Sequence, residues 1–175
     1  RDLATRPMDA LALSYASPDL PARIAERTGG RPNLIAIACA ELLGDLPPGE
    51  RVIGADPVEA ALTGTAMRSA LAGWGKLSGR KAERSNRLDR IIVYATVGDG
   101  EFRQDALQRR LHQMGAPFAA EEIEQALVRL DLAYVIVRGG DGGYRYRVPL
   151  FVDMLREQDL DLALSQEVQA ASLER

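Results

Sequence analysis

The sequence predicts a mainly helical fold that carries one β-hairpin, and three observations lead there. Apolar residues recur at helical spacing in short segments separated by stops containing Gly and Pro. Ala and Leu dominate the apolar share, while aromatic residues make up only 5%, a composition suited to packed short helices. A single β-rich run, Ala133-Tyr134-Val135-Ile136-Val137, precedes a Gly-rich turn and the alternating Tyr144-Arg145-Tyr146-Arg147-Val148.

In the first third, Ser17-Pro18-Asp19 opens a helix through Ile24 that Gly29-Gly30 ends, because Gly takes the left-handed conformation after a last helical turn. Pro32 restarts the chain at a first helical position, where its missing N–H costs nothing. Leu34, Ile35, Ala38, Cys39 and Leu42 then line one helical face up to Gly44. Pro47-Pro48-Gly49 reads as a loop, and Asp56-Pro57-Val58-Glu59 reads as a capping box opening a helix through Leu62. Residues 1–67 are thus expected to form a small helical bundle.

Residues 68–87 differ in character. Lys76, Arg80, Lys81, Arg84 and Arg87, with Arg90 just beyond, are interspersed with Gly73, Gly75 and Gly79, and the acids nearby are Glu83 and Asp89. This stretch is expected to be a basic, partly helical connector. From there Leu88, Ile91, Ile92 and Ala95 mark one helix, stopped by Gly98-Asp99-Gly100. Phe102, Ala106, Leu107 and Leu111 mark a second, and Ile123, Ala126, Leu127 and Leu130 a third, with Glu121, Glu122 and Glu124 at its dipole-positive start. Three helices followed by a hairpin turning at Gly139 to Gly143 is the order of a winged helix-turn-helix, placed at 88–157. Pro149 stops the second strand, and Leu150, Phe151, Met154 and Leu155 fit a packing helix. Leu160, Leu164 and Val168 give the 158–175 tail a weak amphipathic helix.

Composition narrows the function classes. The chain has 175 residues, 46% hydrophobic and 27% charged, enough for one domain or two small ones and too apolar for disorder. A net charge of −3 supplies no global attraction for nucleic acid, so local charge has to decide that question. The lone Cys39 sits in an apolar helical stretch as a structural thiol and excludes an internal disulfide, which points to the reduced cytoplasm. No run of about 18 apolar residues is present, so no membrane span is expected. The chain opens on Arg1-Asp2-Leu3 without Met or a signal segment, which leads us to expect a piece of a longer protein.

Catalytic and metal chemistry find little to work with. Nucleophilic catalysis usually needs a base, and the one histidine, His112, lies among Arg109, Arg110 and Gln113 as an ordinary surface or half-buried residue. Zinc needs more Cys and His ligands than Cys39 and His112 provide, so no metal site is expected. Glu121-Glu122 and the Asp159/Asp161 pair read as a helix start and a solvated face. Gly73-Trp74-Gly75-Lys76-Leu77-Ser78 contains Gly-Lys, but its leading Gly and its hydroxyl are misplaced for a phosphate loop and no strand precedes it. Gly139 to Gly143 lies between two strands, so it reads as a hairpin tip rather than a dinucleotide loop.

Thr28-Gly29-Gly30-Arg31-Pro32-Asn33-Leu34-Ile35, followed by Cys39 and Leu42-Leu43, resembles the small helical lid of AAA+ ATPases. The likeness is greatest to the branch that includes bacterial STAND-type and origin-recognition-like P-loop ATPases. Pro7 to Tyr15 and Val52 to Leu62 are similar to other lid helices, and the stretch from Leu88 to Phe151 looks like the winged helix that follows such lids. The resemblance extends to about Leu155 and implies a lid that closes over nucleotide, with Arg31 as candidate nucleotide sensor. It implies ATP and Mg for the full-length protein and none bound by this chain, which lacks Walker motifs and an arginine finger. The plainer reading is that Arg31 decorates a turn whose Gly and Pro do the structural work.

Two functions follow. In the first, the chain is a non-catalytic C-terminal regulatory fragment whose winged helix contacts its own upstream ATPase domain or a neighbouring subunit. In the second, the winged helix binds double-stranded DNA as part of a transcription or replication regulator. The third helix, 121–132, opens on glutamates that phosphates would repel, and only Gln125 and Arg129 could read bases. Contacts to phosphates or to a partner would instead fall to Arg80, Lys81, Arg84, Arg103, Arg109, Arg110, Arg145 and Arg147, with Arg138 nearby.

Overall fold

A computed structural model describes residues 2–79 and 82–173. It is mainly helical, with two small sheets. The chain divides into two compact units, residues 1–72 with 148–151, and residues 73–147 with 152–175. No helix among the described residues is long and apolar enough to cross a membrane.

The first unit contains α1 (Asp2–Ala10), β1 (Ser14–Tyr15), α2 (Asp19–Arg27), α3 (Pro32–Asp45), β2 (Val52–Ile53), α4 (Ala55–Thr63) and α5 (Thr65–Leu71). The apolar face expected for the third of these helices is the buried one: Leu34, Ile35, Ala38, Cys39 and Leu42 are all withdrawn from solvent. Met8, Ile24, Ile53, Leu62 and Met67 extend this mainly aliphatic core, in which Phe151 is buried as well. Gly29 and Gly30, at φ 61° and 69°, turn the chain between α2 and α3. A Cβ on Gly30 would meet no neighbour, so backbone conformation rather than space calls for Gly there.

Two expectations fail in this unit. Pro7 to Tyr15 is not one helix, because α1 ends at Ala10 and Ser14–Tyr15 pairs in parallel with Val52–Ile53. The Tyr15 hydroxyl donates to the Ala4 carbonyl at 3.0 Å and ties this strand to α1. The capping box at Asp56 is also absent: Gly54 is the N-cap of α4, no side chain caps it, and Asp56 and Pro57 lie inside the first turn.

In the second unit a 3-10 turn over Ala72–Lys76 precedes α6 (Glu83–Thr96), β3 (Glu101–Phe102), α7 (Gln104–Gln113) and α8 (Ala120–Leu132). Next come β4 (Ile136–Arg138), β5 (Tyr144–Tyr146), α9 (Pro149–Arg156), whose first three residues group with the first unit, and α10 (Leu160–Leu173). The first of these helices begins five residues before Leu88, so part of the basic stretch is helix. Phe102 is not the start of a helix but a strand residue opposite Tyr144, its ring stacked on that tyrosine at 5.6 Å. The sheet order is therefore β3-β5-β4, all antiparallel. Ile136, Tyr144 and Val148 are buried, while Arg138 and Arg145 are exposed. The Tyr146 hydroxyl sits 2.7 Å from Thr96 Oγ1 and donates to the Val93 carbonyl at 3.1 Å, fastening the hairpin to α6.

Helix α8 ends with the backbone N–H groups of Tyr134 and Val135 bonded to the carbonyls of Asp131 and Leu130. This closure places Tyr134 at φ 59°, where Gly would sit without penalty. The Arg147 guanidinium lies 4.7 Å from the ring centroid and recovers part of that cost. Tyr134→Gly is expected to raise unfolding stability by about 0.5–1 kcal/mol, since relief of a left-handed side chain exceeds the lost stacking and the added chain entropy. Urea denaturation of both proteins would show it; a destabilised variant would mean that the ring packs more than it strains.

Candidate functional site

The polar residues of α6 are spaced so that successive side chains reach different neighbours. Asn86 is buried and bridges backward, accepting the Ser78 N–H at 2.8 Å and donating to the Gly79 carbonyl at 2.7 Å. Arg87 Nη1 and Arg90 Nε reach Glu167 of α10 at 3.1 and 2.6 Å. Arg90 also holds Glu83 at 2.6 Å and the Gly75 carbonyl at 3.0 Å. Asp89, fully buried, takes a forked contact from Arg129 of α8 at 2.8 and 3.3 Å. Arg84 forks onto Glu122 at 2.9 and 3.2 Å, donates to the Pro117 carbonyl at 2.8 Å and lies over the Phe118 ring.

These pairs settle the orientation of α8. Ile123, Ala126, Leu127 and Leu130 are buried. Glu122 is turned sideways, where its carboxylate accepts the Ala119 backbone N–H at 2.9 Å as half of a capping box, besides meeting Arg84. Of the three leading glutamates, Glu121 and Glu124 are the exposed ones, together with Gln125, Val128 and Leu132, while Glu122 is only partly exposed. Arg129 borders the same shallow hollow but spends its guanidinium on Asp89.

Most of the sequence-predicted contact residues that the structure describes have partners of their own. Arg80 and Lys81 lie outside the described residues. Arg84 is committed to Glu122 and Pro117. Arg109 pairs with Asp105 at 3.1 Å, and Arg110 with Asp99 at 3.0 Å. Arg103 makes a long contact to the Asp141 carbonyl at 3.4 Å. These last three contacts are exposed and weak, so a stronger anion could displace them. Arg145 and Arg138 are exposed on the hairpin, and Arg147 lies against Tyr134.

In the first unit Arg31 is the extended N-cap of α3, half-buried, and its guanidinium has no hydrogen-bond or ion-pair partner among the described residues. Cys39 is buried, and burial pushes its thiol above the ordinary value, away from the nucleophilic thiolate. His112 is exposed at the end of α7. The Gly139 to Gly143 turn closes on itself, Gly139 N–H to the Gly143 carbonyl at 2.7 Å and Gly143 N–H to Asp141 Oδ1 at 3.1 Å. Among the described residues no group of three His, Cys, Asp or Glu is placed to hold a metal ion.

No known protein-family model matches this chain, and no curated protein or solved structure matches it.

The Asp89–Arg129 contact is the electrostatic feature with the largest stake in the fold. Burial pushes the Asp89 carboxyl above its ordinary value, and Arg129 pulls it partly back. Removing one partner of a buried pair leaves a charge uncompensated, so Arg129→Ala is expected to cost about 3 kcal/mol at neutral pH. A carboxyl raised in the folded state stabilises it most below the unfolded value, and that contribution is lost as pH rises through the folded value. The Arg129→Ala protein should therefore regain stability relative to wild type on acidification from neutral pH, and Asp89→Asn in the same background should remove the effect. Urea titrations across this window check both; a parallel pH dependence for the variant and wild type would refute the assignment.

Proposed function

We propose that this chain is a non-catalytic regulatory segment of a P-loop ATPase. In this reading residues 1–67 act as a lid over nucleotide, and α6, α7, α8 and the hairpin form a winged helix that works through protein contacts. The observation that carries the protein-contact reading is the disposition of cations in the second unit. Arg84, Arg87, Arg90 and Arg129 are partly buried and held by Glu122, Glu167, Glu83 and Asp89. Helix α8, the element that would enter a major groove, presents carboxylates instead. Phosphate contacts require cations free to replace condensed counterions, and these four are spent inside the unit.

The lid reading is supported by the turn at Gly29-Gly30, which sets Arg31 at the N-terminal end of α3 without a partner. A guanidinium beside unpaired helix N–H groups fits a phosphate better than it fits a structural role. When bound, Mg-ATP would supply the phosphoryl group; this chain would contribute Arg31 and the helix end, while binding of Mg and activation of water would fall to a Walker-bearing segment. The chain alone is therefore expected to show no ATP turnover. Turnover abolished by Arg31→Ala would overturn that assignment.

A DNA-binding winged helix remains the second reading, favoured by the exposure of Arg138 and Arg145 on the hairpin and by the weak pairing of Arg103, Arg109 and Arg110. Such binding would hold the backbone without reading bases. Electrophoresis with mixed-sequence duplex DNA at low and moderate salt separates the two readings. The protein-contact reading expects no retained complex at moderate salt. A complex that survives moderate salt and is lost on replacing Gln125 would place the chain among sequence-reading regulators.

A further inference from the structure

We propose that the outward face of α8, together with Tyr134, docks a basic amphipathic helix from a partner protein. The proposal rests on the protein-contact reading above and specifies its occupant. Glu121, Glu124, Gln125, Val128 and Leu132 fall on one face of the helix, opposite its buried Ile123, Ala126, Leu127 and Leu130. Val128 is 53% exposed, Leu132 74% and Tyr134 51%, so the C-terminal half of the stripe is an apolar patch left in water. Isolated surface leucines are ordinary, but Val128 and Leu132 one turn apart on the helix, followed by exposed Tyr134 in the turn that ends it and beside a shallow hollow, form the pattern of a helix-binding face.

Tyr134 adds an independent sign. It occupies the left-handed region at φ 59° on an exposed turn, where Gly would cost nothing. Backbone strain retained at an exposed aromatic is usual where the ring is used, and Arg147 stacks on this ring and restricts it. Tyrosine is also among the residues enriched at the energetic centres of protein interfaces.

Charge chooses the occupant. Glu121 and Glu124 have no ion-pair partner among the described residues, because the nearby cations are drawn elsewhere, Arg84 to Glu122 and Arg129 to Asp89. The face is therefore acidic at its N-terminal end and apolar at its C-terminal end. A complementary segment carries Lys or Arg against Glu121 and Glu124 and aliphatic residues against Val128 and Leu132. From Glu121 to Leu132 the stripe is about 16 Å long, which a partner helix covers in about three turns. Nucleic acid is the wrong sign. A second copy of α8 fits poorly as well, since a parallel pairing sets glutamate against glutamate and an antiparallel one sets it against Leu132 without a cation.

The test titrates the isotope-labelled full chain with two synthetic helical peptides of about 14 residues, and separately with mixed duplex DNA. Both peptides carry Leu at helical spacing; one has Lys at the remaining positions and the other Glu. The Lys peptide is expected to shift amide resonances of α8 and residues 133–135, and to bind at least about tenfold more tightly than the Glu peptide. Glu121→Lys with Glu124→Lys should reverse that preference, and Leu132→Asp, a substitution at an exposed site, should abolish binding. Tyr134→Gly should weaken binding at least about fivefold while the denaturation midpoint rises, which a structural role alone would not produce. Equal affinity for the two peptides, shifts away from α8, or indifference to Leu132→Asp would overturn the proposal and leave the protein-contact reading standing. Concentration-dependent dimerisation lost in Leu132→Asp would replace the partner with a second copy. Resonance shifts of α8 caused by duplex DNA would overturn both.

Discussion

The second unit depends on one buried carboxylate. Asp89 lies in the middle of α6 with no access to water, and an ion of this kind is tolerated only when a cation and good geometry compensate it. Arg129 meets that requirement, and in doing so it fixes α8 about its own axis. The apolar residues Ile123, Ala126, Leu127 and Leu130 would accept some rotation of the helix, because hydrophobic burial has little directionality. A forked guanidinium on a carboxylate does not. The acidic and apolar stripe that faces solvent is thus a consequence of where Asp89 sits on a different helix.

Much of the architecture was legible because it is written in local chemistry. Gly29-Gly30, Pro32, Gly98 and Pro149 punctuate helices, and the β-rich residues on either side of Gly139 to Gly143 form the hairpin they advertise. The parts that were not legible are non-local. Phe102 has helical spacing to Ala106 and Leu107, and only its pairing with Tyr144 makes it a strand residue. The short parallel pair of Ser14–Tyr15 with Val52–Ile53 has no signal within either dipeptide. The first turn of α6 is hidden in the sequence because Arg84 and Arg87 look like a solvated basic run until their acids are known. Those acids stand far along the chain: Glu122 is 38 positions from Arg84, and Glu167 is 80 from Arg87.

The same reason governs the candidate site. Counting arginines suggests a positive surface in the basic stretch, whereas Arg84, Arg87 and Arg90 are held by carboxylates from distant parts of the chain. Three acids at the start of α8 implied three repulsive groups, and the capping bond of Glu122 to Ala119 leaves two. The signal for Glu122 was present in the sequence, as a Glu three residues after the residue preceding the helix. No comparable signal marked Glu167, which lies on a weakly amphipathic tail.

The pairing of Glu167 with Arg90 also bears on how the chain is made. Glu167 follows Arg90 by 77 residues, so during synthesis α6 leaves the ribosome well before its counter-charge exists. At cellular elongation rates of about 5–20 residues per second, that interval is roughly 4–15 s, far longer than a helix needs to form. Throughout that interval Arg87 and Arg90, which are mostly withdrawn from water in the finished unit, lack the carboxylate of Glu167. Closure of α6 against Glu167 is therefore a late event in synthesis, and that side of the helix stays uncovered until α10 has emerged.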